Sequence, residues 1–116
     1  MAKAQWLSVL IYEPARKVIH EWPYGVRKDL GDVLTKLQKG ESVGMPDVRP
    51  MSSVGKGVCE IRIRASSGAY RVFYFIQGVF GICVFHAFTK KTQQTPTKEI
   101  LTARERLNLF VRELEG

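Results

Sequence analysis

Two very short connections between three apolar segments constrain the fold of this chain most strongly. The segments Val58–Arg64, Tyr70–Gln77 and Phe80–Phe88 have the length and composition of β-strands. The connections between them are centred on Ser66–Ala69 and on Gly78–Val79. Because connections this short leave no room for a crossover helix, we expect three consecutive antiparallel strands.

The segments that flank this meander predict one more strand and three helices. Residues Gln5–Tyr12 predict a first strand, and Glu13-Pro14 is expected to open a short helix that runs to Trp22. A longer helix follows Pro23 and ends near Gly40, because its apolar residues recur at i, i+4, i+7, i+8 and i+11. That stripe consists of Val26, Leu30, Val33, Leu34 and Leu37.

The rest of the chain completes an α+β pattern. A loop rich in Gly, Pro and Ser follows, with room for a short edge strand near Val48–Met51. The last helix is predicted to start at Thr95–Pro96, with Thr95 as the N-cap. The order β-α-α-β-β-β-α predicts one domain over residues 1–116, an antiparallel-rich twisted sheet with helices on one of its faces.

Positive charge is concentrated in the same region as the meander. The net charge is +7, and residues 49–91 hold seven basic residues against one acidic residue, Glu60, a balance of +6. Residues 1–48 hold seven basic and six acidic residues, and residues 92–116 hold four of each. This asymmetry indicates a nucleic acid or another polyanion as partner; a solvated basic surface is the plainer alternative.

Alternation along the strands separates these charges from the expected core. One face of the first meander strand carries Glu60, Arg62 and Arg64, and suits solvent or a ligand. Arg71, on the next strand, shares its face with two phenylalanines, so we expect it in a partly covered groove with an anionic partner. Glu60 is the nearest candidate, either as a simple cross-strand pair or as a carboxylate that orients the guanidinium toward phosphate.

The end of the third strand offers further candidates. The loop Thr89–Gln94 mixes lysine, hydroxyl and amide side chains, which suits contacts to phosphate and sugar. Phe88 and Tyr74 offer ring faces for base stacking unless they belong to the core. His86 is interpreted either as a hydrogen-bonded packing histidine or as a catalyst.

Several classes of site and location are not expected. No apolar run reaches the ~18–20 residues of a membrane helix, and the N-terminus lacks the apolar region of a signal peptide. We therefore predict a cytoplasmic protein. Two cysteines are too few for a soft metal site, and no metal or cofactor is expected.

Four segments carry a resemblance to a known family. They are Cys59-Glu60-Ile61-Arg62, Tyr70-Arg71-Val72-Phe73-Tyr74, His86-Ala87-Phe88-Thr89-Lys90-Lys91-Thr92-Gln93 and Thr95-Pro96. Over nearly the whole chain, the sequence resembles the HigB-like, phage-derived branch of the RelE-type toxins of bacterial toxin–antitoxin systems. The resemblance implies a small microbial-RNase-like fold and an endonuclease that cleaves mRNA in the ribosomal A site. It also implies a cognate helix-turn-helix antitoxin.

The resemblance assigns roles to individual residues. The family's chemistry is attack of a ribose 2′-OH on the adjacent phosphate; Arg71 would stabilise the phosphate charge, and Arg62 and Lys90 match further basic positions. The proton acceptor stays open among Glu60, His86 and Lys90, because the pKa of arginine exceeds ~12. The residues expected to contact RNA are Arg49, Lys56, Arg64, Phe88, Lys91 and Gln93.

One departure from the family leaves the acid–base assignment open between slower cleavage, a histidine or lysine in that role, and binding without cleavage, and two alternatives to the enzyme are considered. Some relatives carry a catalytic tyrosine near the C-terminus, whereas this chain has no tyrosine after Tyr74. The first alternative is a module that binds RNA or the ribosome without cleavage. The second is a phage-encoded interaction protein whose basic face meets an acidic protein.

Overall fold

The computed structural model describes residues 6–90 and 95–116 of the chain. Within these residues, five strands form one mixed sheet in the order β1-β5-β4-β3-β2, and three helices pack against it. In chain order the elements are β1 (Val9–Ile11), α1 (Glu13–His20), α2 (Tyr24–Gln38), β2 (Val48–Pro50), β3 (Cys59–Ala65), β4 (Gly68–Gln77), β5 (Gly81–Lys90) and α3 (Thr97–Glu115).

The antiparallel meander is confirmed. Strands β3, β4 and β5 pair consecutively and antiparallel, with a register shift between Phe73 and Tyr74. Strand β2 is the short edge strand expected near Val48–Met51, and it pairs antiparallel with β3. Strand β1 is shorter than the predicted Gln5–Tyr12, whose first residue lies outside the described ranges, and it pairs parallel to β5.

Helix α2 follows the predicted apolar stripe. Val26, Leu30, Leu34 and Leu37 are buried along one side of it. Gly40 follows the helix at φ +82°, and its N–H donates to Leu37 O at 3.0 Å. A residue with a side chain rarely adopts that φ, so glycine here allows the helix to end with its last carbonyls bonded.

The helices lie on both faces of the sheet, which corrects the expectation that they share one. Helices α1 and α2 cover the face that carries Ile61, Val72 and Val84. Helix α3 covers the opposite face, where Ala103 and Phe110 pack against Phe73 and other apolar residues of β4 and β5. The meander strands are apolar on both faces, so each face needs its own helical layer. None of the described helices is both long and apolar enough to cross a membrane.

A close backbone contact ties β1 to β5. The N–H of Ile82 donates to Ser8 O at 2.8 Å, and Gly81 has φ +83°. A Cβ at Gly81 would lie 2.3 Å from that same carbonyl oxygen, so the approach requires glycine on both counts.

Candidate active site

The face of the sheet under α3 also gathers basic side chains beyond the helix. The register places Arg62 directly opposite Arg71, and the next row aligns Arg64 with Lys90 across Ala69. Like charges directly opposite one another destabilise a pair of strands. The sequence therefore places cations where sheet formation alone would disfavour them.

Glu60 lies at the centre of these charges and is fully buried. Its Oε1 accepts a hydrogen bond from Arg49 Nε at 2.8 Å, and its Oε2 accepts one from Thr95 Oγ1 at 3.2 Å. The same Oε1 is 3.8 Å from the Nε atoms of both Arg62 and Arg71. We refer to this group as the arginine–glutamate cluster: Arg49, Glu60, Arg62, Arg71, Lys90 and Thr95.

Positive charge exceeds negative charge in the arginine–glutamate cluster. It contains four cationic side chains and one carboxylate, and two of the cations, Arg71 and Lys90, are only 1% and 2% exposed. Nε and Nη1 of Arg71 and Nε of Arg62 are buried without a hydrogen-bond acceptor among the described residues. Burying such groups costs free energy, and an oxyanion would both accept these bonds and offset the charge.

The surroundings of Lys90 and Arg71 perturb both groups in the same direction. Burial, and then the charge of Arg71, lower the pKa of Lys90, while Glu60 opposes the shift. Burial likewise lowers the pKa of Arg71 against the opposing effect of Glu60. A lysine tuned downward can exchange a proton under conditions where arginine stays charged, so Lys90 is the cluster's proton-transfer candidate.

The sequence of residues 17–108 matches the family described as "Phage derived protein Gp49-like (DUF891)". The chain belongs to this Gp49-like family. The match covers α2, every strand of the meander and most of α3. No curated protein matches the chain.

Two solved structures of E. coli RelE resemble this Gp49-like chain. A doubly substituted toxin RelE in the free state aligns with a TM-score of 0.53 at 17% identity, covering 90% of this chain and 98% of RelE. The isolated E. coli RelE toxin aligns with a TM-score of 0.48 at 19% identity, covering 85% and 97% of the two chains. The first alignment confirms the expected RelE-like α+β fold.

The structure brings together four of the five residues expected to act in catalysis. Glu60, Arg62, Arg71 and Lys90 all lie in the arginine–glutamate cluster. Glu60 lies on the face that was expected to meet solvent or a ligand, and it is buried there beneath Arg49 and Thr95, which both bond to it. Its contact with Arg71 is also diagonal, since the register sets Phe73 opposite Glu60.

His86, the fifth residue, has the environment of a packing histidine. Its ring is 3% exposed and lies 5.8 Å from the ring of Phe73, centroid to centroid. Nδ1 lies 2.9 Å from Nη1 of Arg106, and Nε2 lies 2.8 Å from Oε1 of Glu99. Arg106 can only donate, so the network assigns a neutral ring that accepts at Nδ1 and donates from Nε2. Burial lowers the pKa of His86, in keeping with the neutral form.

The two aromatic residues considered for base stacking belong to the core. Phe88 is 6% exposed and packs edge-on against Phe73 at 5.5 Å between ring centroids. Tyr74 is 3% exposed and lies in the core on the α1–α2 side of the sheet. Of the two interpretations, the structure therefore favours core packing for both rings, and the burial of Phe88 gives no support to an RNA contact there.

The other expected RNA contacts divide among three locations. Arg49 is part of the arginine–glutamate cluster, and its guanidinium bonds Glu60 and Thr95. Arg64 is exposed beside the cluster, at the end of the same face. Lys56 is exposed in a groove that contains Val58, Phe75 and Leu107, and it is not part of the cluster. Lys91 and Gln93 lie outside the described residues.

Thr95 is the member of the cluster that sequence reasoning missed. It was expected to cap the last helix, but Pro96 occupies the N-cap position and no side-chain cap bond forms. Its hydroxyl instead donates to Glu60 and accepts from Arg49 Nη2 at 3.3 Å. The only sequence signal for Thr95 was its place in the Thr95-Pro96 segment of the family resemblance. No group of three or more metal-binding side chains occurs among the described residues.

Proposed function

We propose that this chain is the toxin of a type II toxin–antitoxin system and acts as a ribosome-dependent mRNA endonuclease of the HigB-like type. Membership of the Gp49-like family and the RelE-like fold support this proposal. We further propose that it works in the cytoplasm as a single domain over residues 1–116, neutralised by a helix-turn-helix antitoxin.

The excess of buried positive charge in the arginine–glutamate cluster carries the proposal. Three guanidinium nitrogens are buried without a hydrogen-bond acceptor among the described residues, and the cluster's four cations are matched by one carboxylate. A purely structural ion pair would contain equal numbers of positive and negative groups. A site that stabilises the transition state of phosphate cleavage instead needs surplus positive charge and free hydrogen-bond donors. RNA is the polyanion that supplies a phosphate beside a nucleophilic hydroxyl.

In this mechanism the cluster holds the scissile phosphate and Lys90 moves the first proton. Neutral Lys90 accepts the 2′-OH proton as the O2′–P bond forms, and the P–O5′ bond then breaks. The 5′ oxygen takes up a proton from water, and the products are a 2′,3′-cyclic phosphate and a 5′-hydroxyl. Arg71 and Arg62 stabilise the charge that develops on the phosphate oxygens, and Glu60 and Thr95 hold the guanidinium groups in place.

The decisive experiment measures cleavage of a defined mRNA on programmed ribosomes. We expect wild-type protein to cut within the occupied A site, leaving 3′ ends that mass spectrometry identifies as 2′,3′-cyclic phosphates. Arg71→Met should abolish cleavage, whereas Arg16→Met, at an exposed position on α1, should retain it. Absence of cleavage by the wild type, with or without ribosomes, would refute the enzymatic proposal.

One observation favours a second candidate, a module that binds RNA without cutting it. The chain has no tyrosine after Tyr74, whereas some RelE-type toxins use a C-terminal tyrosine in catalysis. In that case RNA binding should weaken steeply with salt, as phosphate contacts dictate, while the RNA stays intact. Filter binding at several salt concentrations, followed by gel analysis of the same RNA, separates the two candidates.

A further inference from the structure

The second half of strand β3 has a single backbone hydrogen bond on its outer side among the described residues, at Arg62. The edge strand β2 has three residues and covers only Cys59–Ile61 of the seven-residue β3. The N–H of Arg62 donates outward, to Asp47 O at 2.7 Å. Because backbone groups alternate along a strand, the N–H and C=O of Arg64 point outward as well. An open edge of this kind is a template for another strand.

A groove of about 580 Å³ runs beside this open edge. Asp29 and Asp32 line it from α2, and Asp47 lines it from the loop before β2. Its other side is formed by Arg62 and Arg64. All three aspartates are exposed, and Asp32 is also 3.4 Å from Nζ of Lys28, so a chain with a net charge of +7 presents acidic groups on this side of the groove.

The side-chain directions at the edge define what fits. Residues of β3 on the α2 side are apolar, such as Ile63 beneath the acidic wall, whereas Arg62 and Arg64 point to the opposite face. A strand added at this edge would alternate between the same two faces. Its side chains on one face would meet aspartates, and those on the other face would meet arginines.

We propose that the open edge of β3 binds an extended segment of a partner protein, which pairs as an additional strand. Basic side chains of that segment face Asp29 and Asp32, and acidic side chains face Arg62 and Arg64. Such pairing gives affinity through backbone hydrogen bonds and specificity through alternate side chains. The partner is thus recognised by alternating charge at strand spacing.

Two other occupants fit the edge less well. RNA would bring its phosphates against three carboxylates, and it has no ladder of amide groups to pair with Arg64. A second copy paired antiparallel through the same edge would place Arg62 and Arg64 beside the same residues of its partner. Like charges in adjacent strands repel, which disfavours that dimer.

The proposed strand also reaches the arginine–glutamate cluster. Arg62 belongs both to the groove and to the cluster, where its Nε lies 3.8 Å from Glu60 Oε1. Acidic side chains placed against Arg62 would neutralise positive charge that RNA phosphates need for binding. This consequence alone rests on the proposed function: a bound strand would compete with RNA.

Capped nine-residue peptides test the proposal directly. The probe alternates lysine and glutamate, and the matched control has the same composition with the two residues in pairs, so that each face carries both signs. Two further probes carry N-methyl groups on every lysine or on every glutamate. All lysine N–H groups leave one edge of an extended strand and all glutamate N–H groups leave the other, so only one of these probes can still pair antiparallel with β3, the direction in which β2 pairs with it.

Amide NMR titrations give the readout without RNA. We expect the alternating peptide to bind about tenfold more tightly than the paired control, since only its side chains oppose the charges on both faces, and a few exposed ion pairs together contribute about that much. One N-methylated probe should lose about tenfold and the other less than about twofold. Hydrogen exchange at the Arg64 amide should slow on binding, and Asp29→Asn with Asp32→Asn should weaken binding.

Equal binding of the alternating and paired peptides, equal losses for the two N-methylated probes, or an unchanged Arg64 amide would each overturn the proposal. Concentration-dependent dimerisation with perturbation of Arg64 would point to a second copy instead and overturn it too. None of these measurements depends on RNA cleavage. An inactive protein that still binds the alternating peptide would reject the endonuclease and retain this inference.

Discussion

Replacing Arg71 with methionine should stabilise the protein and abolish its activity. The side chain is 1% exposed, and two of its N–H groups have no acceptor among the described residues. Methionine has a similar length and no charge, so it should fill the space without leaving the large cavity that alanine would create. Stability and activity should therefore move in opposite directions.

The distances around Glu60 determine the sign of the stability change. Arg71 Nε is 3.8 Å from Glu60 Oε1, an attraction of about 4 kcal/mol at an effective dielectric constant of ~20. The Nε atoms of Arg62 and Arg49 lie 3.8 and 2.8 Å from that same oxygen, which keeps both within about 8 Å of Arg71 Nε. Each repels Arg71 by about 2 kcal/mol on the same scale, so attraction and repulsion nearly cancel.

The remaining contribution is the cost of burying the charge of Arg71. The lowered pKa of Arg71 likewise indicates that the folded protein disfavours the charged form. Glu60 keeps its bonds to Arg49 and Thr95 in the variant, so no carboxylate is left unpaired. We expect Arg71→Met to raise the free energy of unfolding by about 1–2 kcal/mol, within the range for buried charges replaced by apolar residues. That corresponds to an increase in Tm of about 4–8 °C.

Thermal melts monitored by circular dichroism, paired with the ribosome cleavage assay, provide the measurement. Arg16→Met is the matched control and should leave Tm unchanged, because that side chain is exposed. Inorganic phosphate should raise the Tm of the wild type and have less effect on Arg71→Met, since the variant lacks the unsatisfied donors. A lower Tm for Arg71→Met than for the wild type would show that the cluster is a satisfied structural network, and would refute the argument.

Four further predictions concern single residues. The rate of cleavage should rise with pH across the lowered pKa of Lys90, and Lys90→Met should lose both cleavage and this rise. Lys90→Arg should fold but also be inactive, because arginine stays protonated. A pH–rate profile that is unchanged in either variant would exclude Lys90 as the proton acceptor. Thr95→Val should lower the free energy of unfolding by about 1 kcal/mol and reduce kcat, whereas Thr95→Ser should restore both. Chemical denaturation and single-turnover cleavage measure the two effects. A wild-type kcat in the valine variant would contradict the proposal that Thr95 positions Glu60. Burial holds the pKa of His86 below its ordinary value, so on acidification the unfolded chain binds a proton before the folded chain does. The free energy of unfolding should therefore fall as pH drops below about 6.5, and should fall less in His86→Gln. Urea titrations that show the same pH dependence for both proteins would contradict this. Gly81→Ala should cost more than about 2 kcal/mol because its Cβ would meet Ser8 O, while Gly78→Ala, which meets no atom within 4 Å, should cost little; equal melting temperatures would disprove the close contact.

The sequence was most informative where structure is local. Strand alternation and short connections predicted the β3–β4–β5 meander, and helical spacing predicted α2, because both patterns depend on neighbours in the chain. The charge count located the basic region, and alternation placed Arg62 with Glu60 on one face of its strand and Arg71 with Phe73 on one face of the next. The motif resemblance pointed to the fold that the RelE comparison confirms.

The sequence was least informative where distant segments meet. It did not reveal that α3 crosses to the second face of the sheet, which buries His86 and Phe88. It placed Glu60 on a face suited to solvent or a ligand and near Arg71, but it could not show Arg49 arriving from β2 or Thr95 from a position 35 residues away. Both points concern what covers a face, and periodicity carries no information about that.

The sequence by itself thus determined the secondary structure, the sign of the charge and the side of each strand on which that charge lies. The tertiary structure decided the rest: that Glu60 is buried among more cations than it can neutralise, that Lys90 shares their environment, and that β3 has an open edge. Those properties depend on desolvation and on register between segments far apart in the chain. Such packing shifts the pKa of a charged group and strengthens its interactions, because both effects require that other residues exclude water from it.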